Sequence, residues 1–158
     1  MPERLATERL RLVLVTLQDA EDMRAGRHQD RWHPDYPRQD DLDAATFVRP
    51  GNAWGPRHVV LGALAVGSLG FFGPPGEDDD PEVEVGYGLV PDARGQGVAT
   101  EALRCVLAET DRLRVRVRAR TEPTNRASVR VLAKAGFTDL RGSDDEGLLV
   151  MARPLPSR

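Results

Sequence analysis

Glu84-Val-Gly-Tyr-Gly-Leu-Val-Pro-Asp-Ala-Arg-Gly-Gln-Gly-Val-Ala-Thr-Glu-Ala-Leu103 passes from strand to helix through a glycine-rich turn. Val83, Val85, Tyr87 and Leu89 alternate with Glu82, Glu84, Gly86 and Gly88, the period-two pattern of a strand with two unlike faces. Beyond Pro91, the apolar positions Ala99, Ala102, Leu103, Val106, Leu107 and Leu113 recur at helical spacing. Between the two lies Arg94-Gly-Gln-Gly-Val-Ala-Thr100. Gly95 and Gly97 carry no side chain, so a ligand can approach the backbone closely. The first free N–H groups of the helix and the positive end of its dipole suit a pyrophosphate, and Arg94 adds a charged fork. A tight turn without a ligand is the plain alternative. A P-loop would need a Lys-Ser/Thr pair after the second glycine, which is absent. A dinucleotide fingerprint wants Gly or Ala where Thr100 stands and an acid after the next strand, whereas Asp111 precedes it.

Outward from this stretch the chain reads as a mixed α/β sheet. Leu10, Leu12 and Leu14 alternate as a first strand, and residues 18–26 suit a helix stopped by Gly26. Pro34 and Pro37 keep residues 31–37 irregular, and a short helix follows over 40–47. Residues 58–72 hold two strands turning at Gly62 or Gly67, before an acidic loop at 77–80. Past the second helix, Leu113, Val115, Val117 and Ala119 alternate with five arginines from Arg112 to Arg120. That is a strand with one face in the core and the other open to solvent or to a groove. Thr124 or Asn125 caps a helix with apolar positions Ala127, Val131, Leu132 and Ala135, and Gly136 closes it. Residues 137–140 and 148–152 are closing strands.

A chain of 158 residues, 40% hydrophobic and 30% charged, reads as a single domain over 1–158 with room for a core. Net charge is −3 and the sequence pI is near 5.6, against a nucleic-acid partner. Lys134 is the one lysine among 22 basic residues, leaving 21 arginines, the mark of a GC-rich genome. Cys105 has no cysteine to pair with and lies mid-helix, away from an activating helix start, so it reads as inert and structural. His28, His33 and His58 lack zinc-ligand spacing, and no metal is expected. The apolar run over 59–72 is too short for the ~20 residues of a spanning helix, and the start carries no apolar signal segment. A cytoplasmic protein without a membrane partner is expected.

The quoted stretch resembles the acyl-CoA motif of the GNAT superfamily of acetyl-CoA-dependent N-acetyltransferases. Asn125-Arg-Ala-Ser-Val-Arg-Val-Leu-Ala-Lys-Ala-Gly-Phe137 is similar to the second motif of that superfamily. The Asn-x-x-Ser form, with Thr7-Glu-Arg-Leu-Arg-Leu12 near the start, resembles the branch of ribosomal-protein N-terminal acetyltransferases, a bacterial group. The motifs cover Glu84 to Phe137, and residues 30–56 match nothing specific.

The resemblance implies a mixed, mostly antiparallel sheet with helices on both faces and a central strand splay. It implies acetyl-CoA as donor and CoA as product, bound by Leu89, Val90, Arg94, Gly95, Gln96, Gly97, Val98, Ala99, Thr100 and Asn125. Asn125 would contact the pantetheine arm, or simply cap its helix. Glu84 stands at the family's position for the glutamate base, direct or through water, and is otherwise a solvated strand-face carboxylate; Glu82 is its neighbour on that face. The tyrosine that many members use beside the thiol is replaced by Val131-Leu132, and Ser128 is the branch's alternative donor. The acceptor is a primary amine, on a small molecule or a peptide N-terminus, and a homodimer is common in the family. The missing tyrosine leaves a non-catalytic acyl-CoA sensor as the alternative, and a nucleotide-binding redox domain as a distant third. Trp32, His33, Tyr36 and Trp54 either line an acceptor pocket or pack on the sheet edge. The arginine row over 112–120 either favours an acidic acceptor or is merely solvated.

Overall fold

Strand β1 (Arg4–Ala6) turns back into β2 (Leu10–Leu14), followed by α1 (Leu17–Ala25) and α2 (Gln39–Ala45). A hairpin of β3 (Arg57–Leu61) and β4 (Leu64–Phe71) precedes β5 (Glu82–Leu89). The 3-10 turn Pro91–Ala93 leads into α3 (Val98–Arg112), β6 (Arg116–Thr121), α4 (Arg126–Lys134), β7 (Asp139–Ser143) and β8 (Leu149–Arg153). This computed structural model describes residues 1–158.

The eight strands form one sheet in the order β1-β2-β3-β4-β5-β6-β8-β7. Every neighbouring pair is antiparallel except β5 and β6. Those two are parallel and pair only at Glu82↔Arg116, Val83↔Val117 and Glu84↔Arg118. Past Glu84, β5 stays with β4 as far as Gly67↔Leu89, while β6 follows β8 to Thr121↔Leu149. The sheet therefore splits into a V at its centre, as the family resemblance implies.

Successive β5 residues face opposite sides of the sheet. Gly88 lies under Arg38, which precedes α2, and Tyr87 reaches Ser128 of α4. The α1–α2 pair thus covers one face and α3–α4 the other. Helix α3 buries Val98, Ala102, Leu103, Val106, Leu107 and Thr110, one stripe at helical spacing. It joins Val83, Val85, Val117, Ala119, Leu132 and Phe137 in one continuous core. No helix is long and apolar enough to cross a membrane.

Three boundaries differ from the sequence expectations. Strand β1 was not expected, because three residues give no alternation to read. The α3 helix runs on to Arg112, and Arg114 takes the left-handed conformation (φ 57°), so β6 begins only at Arg116. Phe137 closes the α4 turn, its N–H bonded to the Leu132 carbonyl, which shifts β7 to Asp139–Ser143.

Candidate active site

Gly95 (φ 75°) and Gly97 (φ 76°) both adopt the left-handed conformation that glycine tolerates best, and Gly97 caps α3 with no side-chain bond. The N–H groups of Gly95, Gln96, Gly97, Val98, Ala99 and Thr100 have no protein acceptor, and nothing lies within 4 Å of a Cβ built on Gly95. This is an open cradle of amides at a helix start. Arg94, next to it in the chain, donates from Nε to the Leu89 carbonyl at 3.1 Å. The cradle is braced from behind. Arg9 Nη1 donates to the Gln96 carbonyl at 3.0 Å, Arg9 Nε to Glu101 at 2.8 Å, and Thr7 Oγ1 bonds the same carboxylate.

The splay adjoins the cradle. The Val90 N–H donates to the Val66 carbonyl at 2.8 Å, and the Glu84 carbonyl accepts from Phe72 at 3.0 Å, so even-numbered β5 residues bond toward β4. Alternation turns the peptide groups of Tyr87 and Leu89 toward the gap. Arg94 takes the Leu89 carbonyl, so the Leu89 N–H and both Tyr87 peptide groups face the V. Val90 is thus corrected as a backbone contact, because its N–H is spent on β4.

Across the V, Asn125 Oδ1 accepts from the Ser128 N–H at 3.1 Å, which is the capping role, and leaves its Nδ2 free. Ser128 Oγ lies 3.1 Å from Tyr87 Oη. Burial pushes the Tyr87 phenol above its usual 10, with the Ser128 bond pulling the other way. Tyr87 is the functional candidate that sequence reasoning missed. A phenol does stand beside Ser128, supplied by the strand rather than by α4.

Glu84, with 11% of its side chain exposed, is bound by two guanidinium groups, Arg118 Nε at 3.3 Å and Arg120 Nε at 3.0 Å. Glu82 accepts from Arg141 at 2.7 Å and Arg118 at 2.8 Å. The Arg141 bonds, followed by those of Arg118, hold Glu82 at about 2 against the opposing effect of burial. Arg116 pairs with Asp80 at 2.7 Å and Arg120 with Asp144 at 3.1 Å. Arg116, Arg118 and Arg120 are therefore neither merely solvated nor free to select an anion, being matched by carboxylates, as Arg112 is by Glu109, while Arg114 donates to the Pro156 carbonyl.

A cavity of about 550 Å³ opens on the α2 side of the splay. Arg38, Phe47, Ser68, Phe72, Tyr87 and Arg120 are among its lining residues. A smaller one of about 260 Å³ adjoins it and includes Glu82 and Glu84. Neither includes the aromatic residues singled out from the sequence. Trp32 (2% exposed) and Tyr36 (1%) pack in the core against His58, with ring centroids 6.0 and 5.7 Å from it. Tyr36 Oη meets His58 Nδ1 at 2.7 Å, and His58 Nε2 meets Asp19 at 2.8 Å, a closed buried chain. His33 pairs with Asp92 at 3.1 Å, and Trp54 stacks edge to face on Phe71. Cys105 is half-buried, and burial raises its thiol pKa, the opposite of activation.

Residues 9–138 match the acetyltransferase (GNAT) domain family. No curated protein matches the chain. Among solved structures, a Bordetella pertussis protein described as a GnaT-family acetyltransferase is 26% identical, with 97% of this chain and 100% of that one covered and a TM-score of 0.64. The ribosomal-protein-S5-alanine acetyltransferase of Vibrio fischeri is 18% identical, covering 98% and 97%, with a TM-score of 0.69. RimJ of Mycobacterium smegmatis, solved with CoA-disulfide, is 22% identical, covering 96% and 87%, with a TM-score of 0.65. The open amide cradle and the unpaired peptide groups of the splay fit a pyrophosphate joined to an amide-bearing arm. The chain belongs to the GNAT acetyltransferase family, an acyltransferase whose donor is acetyl-CoA.

Proposed function

We propose that the chain moves an acetyl group from acetyl-CoA to a primary amine, and that its relation to the ribosomal-protein acetyltransferase branch lies in the Asn125–Ser128 motif. The observation that carries this reading is the continuity of the site. The amide cradle, the free peptide groups of β5 and the Tyr87–Ser128 hydroxyl pair line one path from α3 to α4.

Bound acetyl-CoA supplies an acetyl thioester open to attack by an amine. The N–H groups from Gly95 to Thr100 would hold its pyrophosphate, with Arg94 beside them. The peptide groups of Tyr87 and Leu89, together with Asn125 Nδ2, would hold its arm. An alkylamine, with a pKa of ~10, arrives protonated at pH 7 and must lose a proton. Glu84 would take it through water: each carboxylate oxygen has two acceptor sites, and the arginines fill one on each. Tyr87 Oη, kept protonated by burial, would give a hydrogen bond to the leaving sulfur, with Ser128 Oγ holding the phenol in place.

The test is thermal unfolding with acetyl-CoA, CoA and NADH, followed by thiol release on an amine panel. A ligand at 100 times its Kd adds about 2.7 kcal/mol to stability. Stabilisation by acetyl-CoA and CoA is expected, and none by NADH. Glu84→Gln should lower kcat by roughly 10²–10⁴ and leave the acetyl-CoA shift unchanged. Part of that loss should return at high pH, where the amine deprotonates unaided. Wild-type turnover in this variant would remove the base assignment. Binding of acetyl-CoA without thiol release on any amine would favour a non-catalytic sensor.

A further inference from the structure

Phe47, two residues past α2, and Phe72, one past β4, meet edge to face with ring centroids 5.2 Å apart. They are 39% and 44% exposed, although most large apolar side chains of the chain are buried. Both rings line both cavities of the α2 face. Gly86 makes room for this: a Cβ there would fall 2.8 Å from Phe72 Cζ, so a side chain at this position would push the ring off its present seat on β5. Exposed rings at a cavity wall offer a large apolar contact to whatever enters.

The charges around the pair are sorted. The cations of the larger cavity are Arg38 and Arg120, and each is matched from outside it. Arg38 is bound by buried Asp41 at 3.1 Å, and Arg120 by Glu84 at 3.0 Å and Asp144 at 3.1 Å. Asp40, Asp43 and Glu146 stand exposed along the same wall. Asp40 and Glu146 come no closer than 4.0 and 3.9 Å to a guanidinium, and the Asp43 carboxylate accepts from the Gln39 amide. An aromatic patch ringed by loosely paired carboxylates attracts an ammonium ion and repels an anion.

Resting on the acetyl-transfer reading, we propose that the acceptor is a cationic amine with an apolar, ring-sized body next to its amino group. Arylalkylamines and peptide N-termini that begin with a bulky apolar residue share this chemistry. The body lies on Phe47 and Phe72, the carboxylate rim receives the ammonium, and acidic acceptors are disfavoured.

Thiol release at saturating acetyl-CoA is compared for 2-phenylethylamine, phenylalanyl-alanine amide, ethylamine and a lysine-free peptide beginning with glutamate. Calorimetry measures binding of the same amines to the CoA complex. The two aromatic amines should exceed ethylamine in kcat/KM by at least about 30-fold, since a single methylene in an apolar pocket already gives ~10-fold or more. Their ratio to each other tells a peptide acceptor from a small amine. Phe72→Ala and, separately, Phe47→Ala should raise KM and Kd for both aromatic amines about 10-fold and leave those of ethylamine unchanged. Asp43→Asn with Glu146→Gln should weaken binding of every cationic amine, most at low salt. If acetyl-CoA fails to stabilise the protein, the acetyl-transfer reading itself fails. If it does stabilise it, this inference alone is overturned by any of three results: ethylamine or the acidic peptide matching the aromatic amines, the alanine variants affecting all amines alike, or neither aromatic amine binding.

Discussion

Tyr87 owes its position to two neighbours without side chains. Gly86 and Gly88 leave the opposite face of β5 to Phe72 and Arg38, so the strand lies close under both and its last residues run out along the splay. Alternation alone groups Tyr87 with Val83, Val85 and Leu89 as an apolar face, and so hides it in the core. Only the V, a tertiary feature, gives its hydroxyl a partner in Ser128. If the two hydroxyls form one chain toward a leaving sulfur of pKa ~8.5, the phenol is the terminal donor and Ser128 acts through it. Tyr87→Phe keeps the ring and its packing, and should lower kcat by about 10–10²-fold with the acetyl-CoA stabilisation unchanged. Ser128→Ala should cost less, and the double variant should be no slower than Tyr87→Phe alone, because a broken chain cannot be broken twice. Additive losses in that cycle would mean that the hydroxyls act separately.

Strand β5, the glycine turn and α3 were legible because each carries a local signal: period two, glycine at a helix start, then period 3.6. The splay was not readable from any one element, since it depends on where the β5–β6 register ends, at Glu84↔Arg118. Nor was the latch between the start of the chain and α3. Thr7 and Arg9 sit in the β1–β2 turn and grip Glu101 in the first turn of the helix, while Arg9 also holds the Gln96 carbonyl. Sequence placed the residues 7–12 motif and the glycine turn in one family, and the fold gives the physical link between them. The latch fixes the amides that a pyrophosphate would meet, so its loss should appear in ligand affinity more than in folding. Arg9→Ala should weaken CoA binding about 3–10-fold in a calorimetric titration, the scale of one charge-assisted bond removed from a partly exposed site. Arg9→Lys should restore only part of that affinity, because a flexible ammonium lacks the planar fork whose Nε and Nη1 reach Glu101 and the Gln96 carbonyl separately. Unchanged affinity in both variants would make the latch a folding contact only.

The order β5-β6-β8-β7 turns an arginine row into an ion-pair face that spans the second half of the sheet. From sequence the row had no partners, because Glu82 lies 59 residues from Arg141 and meets it only after β6 and β8 have been placed between them. Ion pairs this far apart in the chain form with the whole sheet and break with it, which ties global stability to pH. Glu82 has a folded pKa of about 2, below the usual 4.5, so the unfolded chain binds its proton first as pH falls. The contribution is present in full above about 4.5 and is lost as pH falls from there toward 2. At 1.36 kcal/mol per unit it is on the order of 3 kcal/mol at neutral pH, for a side chain 15% exposed. Glu82→Gln should therefore lower stability at pH 7, measured by urea unfolding, and flatten its decline between pH 4.5 and 2. Raising the salt should narrow the gap between variant and wild type only modestly, because the carboxylate is largely shielded from solvent. A variant whose acid limb runs parallel to wild type would show that Arg141 and Arg118 contribute nothing to holding the four strands together.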